Sequence, residues 1–241
     1  MRSTKEILAR AIIVDTTSQR SQLEEEGGYG CATVAEQEEI RRRMCALLKT
    51  NGYDVYMTEG EKAFMDTPAR QARWEQTCSF SFQAEGIRPL LWAIGLVDGL
   101  LGYDGFDMEY YDDILMIGAM DHNTESILSL CKPRTEQEIF AQCEIAMMWH
   151  WRAIEARGEK PWKRNIEEVL TRIFGEEYRP LLQTMPKSKG RYADFLVRGK
   201  PVSQLKGRMR DDLELIAGWR QHAFEWLLRE DEDWDEITAD T

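Results

Sequence analysis

No stretch of the chain approaches the roughly 20 consecutive apolar residues that a helical membrane span needs, and the N-terminal apolar run, Ala11 to Val14, is too short for the core of a signal peptide. The sequence also has little that would mark redox or metal chemistry. Its five cysteines, Cys31, Cys45, Cys78, Cys131 and Cys143, are odd in number, widely spaced and free of any C-x-x-C pair, so they read as reduced thiols of a cytoplasmic protein. Only three histidines, His122, His150 and His222, are present. No G-x-S-x-G elbow or H-E-x-x-H motif accompanies them. The glycines at Gly27, Gly28 and Gly30 precede a helix but lack the spacing of a phosphate cradle or a dinucleotide fingerprint. No cofactor and no metal are therefore expected.

Basic residues are in deficit as well. Lysine and arginine total 31 against 43 aspartates and glutamates, a net charge of -12. An excess of that sign repels phosphate backbones and anionic lipid surfaces, which argues against nucleic acid and membrane surface as partners. It keeps a protein soluble, and it also suits an acidic face that docks a basic partner.

What the chain does have is helix-forming material. With 241 residues, 43% of them hydrophobic and 31% charged, it can bury a sizeable core without disulfide staples. Thr33 with Glu36, Thr58 with Glu61 and Thr135 with Glu138 each have the spacing of a capping box. After the first, Ile40, Met44, Leu47 and Leu48 share one face until Asn51-Gly52 ends the pattern, with Arg41, Arg42 and Arg43 turned mostly away from it. After the third comes the clearest amphipathic segment, Glu136 to Arg157, with Ile139, Cys143, Met147 and Ile154 inward. Thr67-Pro68 predicts a further helix start, and Gly86 with Pro89 predicts a break ahead of the apolar run Leu90 to Ile94.

Thr4 to Ala11 predicts a short N-terminal helix, Gly95 to Gly105 a loop, Glu109 to Met120 and Trp162 to Phe174 two more helices, and Tyr192 to Leu205 a small β-hairpin. The last helix, about Leu205 to Arg229, carries Leu213, Ile216, Trp219, Ala223, Trp226 and Leu227 on a broad face. The fold class is thus mainly α: one compact multi-helix domain with one small β-hairpin near 192–205. Residues 1–30 form a short helix and polar loop, 31–229 the helical domain, and 230–241 an acidic C-terminal tail docked on it.

Two features bear on chemistry. His150, between Trp149 and Trp151, could act as a general base or ligand were carboxylates such as Glu144 or Asp233 to approach; the plainer expectation is a structural histidine, since no second ligand lies at i+3 or i+4. In the tail, Asp233-Trp234-Asp235 joins an aromatic to two carboxylates beyond a helix C-terminus, where negative charge opposes the helix dipole and calls for a cation such as Arg134, Arg152 or Arg220. Trp234 then docks while Asp233 and Asp235 lock the tail to arginines, or the same carboxylates hold a divalent cation or face a basic partner. Of the eight tryptophans, Trp92, Trp149, Trp151, Trp219 and Trp226 fall on apolar helical faces, as core packing requires.

The C-terminal run Arg220-Gln221-His222-Ala223-Phe224-Glu225-Trp226-Leu227, followed by Asp233-Trp234-Asp235 and Asp240-Thr241, resembles the domain of unknown function 4272 family. Leu90 to Gly95, the span from Arg134 through Glu138-Ile139 to His150-Trp151, and Glu61-Lys62-Ala63-Phe64 are similar to the same family. Glu225 stands where that family usually has asparagine, and Trp219 where it usually has an acidic residue. The resemblance implies a mostly helical bacterial-type protein and carries no activity with it.

From the residues themselves, the leading expectation is a non-enzymatic protein acting through another macromolecule, as an immunity-type protein or adaptor does. The alternative is an enzyme or small-ligand binder with a polar pocket between helices. Convergence of Arg134, His150, Arg220 and Asp233 on one cavity would mark the alternative; burial of those residues in a filled, paired core would count against it.

Overall fold

The computed structural model describes residues 2–107, 111–115, 123–158 and 161–238. It opens on a long, mostly buried helix, α1 (Thr4–Ser21). Ser3 and Glu6 close a capping box at its start, and Ile7, Leu8, Ile12, Ile13 and Val14 are all 2% exposed or less. Arg10, Asp15, Thr16, Thr17 and Arg20 are buried with them, so the rest of the core encloses the helix on most sides. It runs well beyond Ala11, where the sequence predicts its end, because the polar residues that follow bond back into the helix. Thr16 Oγ1 donates to the Ile12 carbonyl at 2.7 Å, and Thr17 Oγ1 to that of Val14 at 3.1 Å. Both threonines are thereby buried at little cost.

Helices α2 (Val34–Thr50) and α3 (Glu59–Asp66) begin at the capping boxes of Thr33 and Thr58. Arg41 departs from its neighbours: it is half-buried and donates to the Met65 carbonyl at 2.5 Å, whereas Arg42 and Arg43 are exposed. Thr67-Pro68 starts no helix. Thr67 terminates α3, the chain turns through Arg70 at φ 68°, and α4 (Trp74–Phe82) follows. The predicted break before Leu90 is real but falls earlier, in a 3-10 turn over Gln83–Gly86. Pro89 lies within the first turn of α5 (Ile87–Ala93), where its missing N–H leaves no helical bond unmade.

Of the predicted Glu109–Met120 helix, only α6 (Asp112–Leu115) falls among the described residues. The chain continues through α7 (Thr124–Leu130), α8 (Glu136–Glu155), α9 (Ile166–Phe174), α10 (Arg179–Thr184) and α11 (Arg208–Leu228). The buried face of α8 includes Trp149, Arg152 and Ala153, while Ile154, predicted inward, is exposed. The hairpin is present: β1 (Leu196–Val197) pairs antiparallel with β2 (Lys200–Pro201), turning through Arg198 and Gly199, both at positive φ. Two positive-φ residues in a two-residue loop match the twist of a hairpin.

The apolar residues gather in two clusters. The larger holds α1, α5 and the C-terminal half of α11; the smaller holds Phe195, Val197 and Leu170 with the N-terminal half of α11. Helices α8 and α11 pack against each other along their length and contribute to both. They run antiparallel, with Arg157 beside Glu214 and His150 beside Gln221. Trp234 and Ile237 of the C-terminal segment are buried in the larger cluster.

Candidate functional site

A recess lies where α1, the end of α4, the 3-10 turn and the loop after α5 meet. It has a volume of about 250 Å³ and is lined by Asp15, Ser18, Gln19, Phe82, Glu85, Phe106, Asp107 and Tyr111, among others. Phe82 and Phe106 stack at 5.7 Å and form an aromatic wall.

Each carboxylate of the recess is held from behind. Glu85 Oε2 accepts from Arg220 Nε at 3.1 Å and Nη2 at 2.8 Å, and its Oε1 accepts from the Asp107 backbone N–H at 2.6 Å. Burial pushes the Glu85 carboxyl above the usual carboxylate range, and Arg220 opposes that shift. Arg220 in turn spends Nη1 on the Leu101 and Gly102 carbonyls, both at 2.9 Å, with its guanidinium over the Tyr103 ring. Asp107 Oδ2 accepts from Arg88 Nε at 2.8 Å and from the Tyr111 hydroxyl. Asp15 Oδ2 accepts from Gln19 Nε2 at 2.8 Å, one helical turn on. The lining thus brings three carboxylates together, two of them paired with guanidiniums of the surrounding elements.

The residues singled out by sequence go to several different places. Arg134 lies over the Trp92 ring at 5.4 Å, and Arg220 backs the recess through Glu85. His150 is buried on α8 with Nδ1 2.8 Å from Gln221 Oε1. Asp233 caps the 3-10 turn Trp234–Glu236 and lines a cleft with Arg2, Glu6 and Arg10. Trp234 fills the core, its Nε1–H donating to Gln83 Oε1 at 3.3 Å, edge-on to His222 and Trp226. Asp235 lies beside Gly60. Arg220 and Trp234 both meet the Gln83–Gly86 turn, while Asp233 and His150 line two different clefts.

The cation for the tail is also not the one sought among Arg134, Arg152 and Arg220. Arg2 supplies it: Nε donates to the Trp226 carbonyl at 2.8 Å and Nη2 to those of Arg229, at 2.7 Å, and Glu232, with Asp231 and Asp233 close enough to favour its charge. Sequence reasoning missed Glu85, Asp107 and Asp15. Glu85 sits in a segment legible only as a helix break, and Asp15 in the part of α1 read as a polar loop. Among the described residues no group of three or more His, Cys, Asp or Glu is placed to hold a metal ion, and no helix is long and apolar enough to cross a membrane.

Fold and site together define a mainly helical protein with an acidic recess. Its sequence matches the profile of a domain of unknown function, DUF4272, over residues 1–171, and the chain belongs to that family. The match ends before Arg220 and the tail. No curated protein and no solved structure matches the chain.

Proposed function

We propose that the protein works by binding a basic protein partner, not by catalysis, and that the acidic recess takes a lysine or arginine side chain of that partner. The recess carries this reading: carboxylates of Asp15, Glu85 and Asp107 are fixed in place beside a stacked phenylalanine pair. A cation entering there gains from the acidic lining and from the aromatic faces, with little reordering of the host. The net charge of -12 favours encounter with such a partner at long range.

Fluorescence anisotropy with a labelled arginine- and lysine-rich peptide, against a glutamate-rich peptide of equal length, tests the reading. The basic peptide should bind with an affinity that falls as salt rises, and Phe82→Ser or Asp15→Asn should weaken it at least tenfold while the melting curve is retained. Equal binding of both peptides, no binding of either, or indifference to the two substitutions would overturn it.

A further inference from the structure

Net charge argues against a nucleic-acid partner, but -12 is an average over the chain, and one segment departs from it. Residues 186–210 hold eight lysines and arginines and one acid, Asp194. That acid is buried against Arg152 and accepts from two backbone N–H groups. Glu167, which reaches the segment from the first turn of α9, is paired with Lys187 at 3.1 Å and with Arg179 at 3.3 Å.

Hydrogen bonds gather five other cations around Ala193 and Asp194. The Ser188 N–H donates to the Asp194 carbonyl at 2.8 Å, and Ser188 Oγ accepts from the Asp194 N–H at 3.0 Å. The Ser203 N–H reaches the Asp194 carboxylate at 2.7 Å. The Ala193 carbonyl accepts from the Ile166 N–H at 2.9 Å and from Trp162 Nε1 at 3.4 Å. Lys163, Arg164, Lys189, Arg191 and Lys206 each lie within three residues of a residue so bonded, and three residues of chain span at most about 11 Å. All five are exposed, and among the described residues none has a carboxylate at ion-pair distance. Glu168, unpaired in the first turn of α9, offsets one of them. In their midst Tyr192 is 47% exposed, with the Arg191 guanidinium 5.4 Å from the centre of its ring.

We infer that this face binds single-stranded nucleic acid, with the cations on successive phosphates and a base stacked on Tyr192. An exposed ring among unpaired cations fits unstacked bases on a charged backbone. At physiological salt, charges are screened over about 8 Å, so an anion in contact here responds to the cations around it and only weakly to acids elsewhere in the chain. An acidic peptide would use the cations and leave the ring idle. An anionic bilayer would call for apolar side chains to enter it, whereas the turn from Lys189 to Ala193 offers one aromatic and no aliphatic side chain longer than alanine. None of these residues lines the acidic recess, and the inference does not rest on the reading of it.

Fluorescence anisotropy of the full chain with labelled oligouridylate and oligothymidylate, each about 12 nucleotides long, tests the inference. One or both should bind, and the tighter of the two assigns the sugar. The logarithm of the affinity should fall with that of the salt concentration, with a slope of about -0.7 per phosphate held. Tyr192→Ala should weaken binding at least fivefold with the slope unchanged, and Lys189→Gln with Arg191→Gln should flatten the slope by about 1.4. These side chains are exposed, so both variants should keep the native melting curve. The inference is overturned by absent binding, by equal binding of a polyglutamate peptide, of a duplex of the same length or of phosphatidylserine vesicles, by undiminished binding to Tyr192→Ala, or by a slope that the two glutamines leave unmoved.

Discussion

The carboxylate of Asp194 receives both arms of the Arg152 guanidinium, Oδ1 at 2.8 Å from Nε and Oδ2 at 2.9 Å from Nη2, with neither side chain more than 1% exposed. Asp194 also accepts from the backbone N–H groups of Phe195 at 3.0 Å and Ser203 at 2.7 Å, so one acid ties α8 to both sides of the hairpin. The Arg152 guanidinium stacks 4.0 Å above the Trp162 ring. Removing one partner leaves a buried charge uncompensated, which costs about 3–5 kcal/mol. Asp194→Ala should lower stability by that amount in urea denaturation. A loss below about 1 kcal/mol would show that the hairpin is held mainly by its apolar contacts.

A second test concerns Arg220 and Glu85, which meet across 135 residues of sequence. Arg220→Met and Glu85→Gln should each destabilise the fold by several kcal/mol, and the double variant by clearly less than the sum, as a buried pair behaves in a double-mutant cycle. Additive losses would mean that the pair is not coupled.

Trp234 is 1% exposed and packs edge-on against two other aromatic rings. Trp234→Ala should cost about 3–5 kcal/mol by thermal or chemical denaturation, and Trp234→Phe less, since most of the volume is kept. An unaffected melting temperature in Trp234→Ala would show that the tail contributes nothing to the core.

His222 gives stability a pH dependence of known sign. Its folded-state pKa, about 4, lies below the ordinary 6.5, so the folded chain resists its protonation. The contribution is complete above pH 6.5 and is lost as pH falls toward 4; it amounts to roughly 3 kcal/mol at most. Glu61 and Glu85, whose carboxyls burial pushes up, act the other way, favouring the fold in acid and losing that contribution as pH rises through their folded-state pKa values. Denaturation of the native chain and of His222→Phe across pH 4 to 7 separates the terms. The difference between the two curves should shrink toward acid, and a constant difference would remove the assigned role.

The signals legible in the sequence are local ones. The capping boxes at Thr33, Thr58 and Thr135 are satisfied within four residues and mark three helix starts correctly. Thr67-Pro68 has the composition of a start, yet Thr67 closes the preceding helix instead, its N–H bonded to the Ala63 carbonyl at 3.2 Å. The true length of α1 is hidden because Thr16 and Thr17 look like loop residues until their carbonyl partners are known. The recess was out of reach for the same reason in stronger form. Glu85 acquires its meaning from Arg220, and Asp107 from Arg88, and periodicity assigns residues to faces without naming the neighbours those faces meet.

Because α8 and α11 contribute to both apolar clusters, neither cluster is complete without them. To dissolve the smaller one, the chain must fray the first half of α11 and the last half of α8 while the remaining turns of the same helices stay wound. Helices are lost most readily from their ends inward, and the inner turns of each would then lose the partner that covers them. Amide protons on the two sides of Gly218 should therefore exchange through the same opening event, making the pair the element on which the cooperativity of unfolding depends.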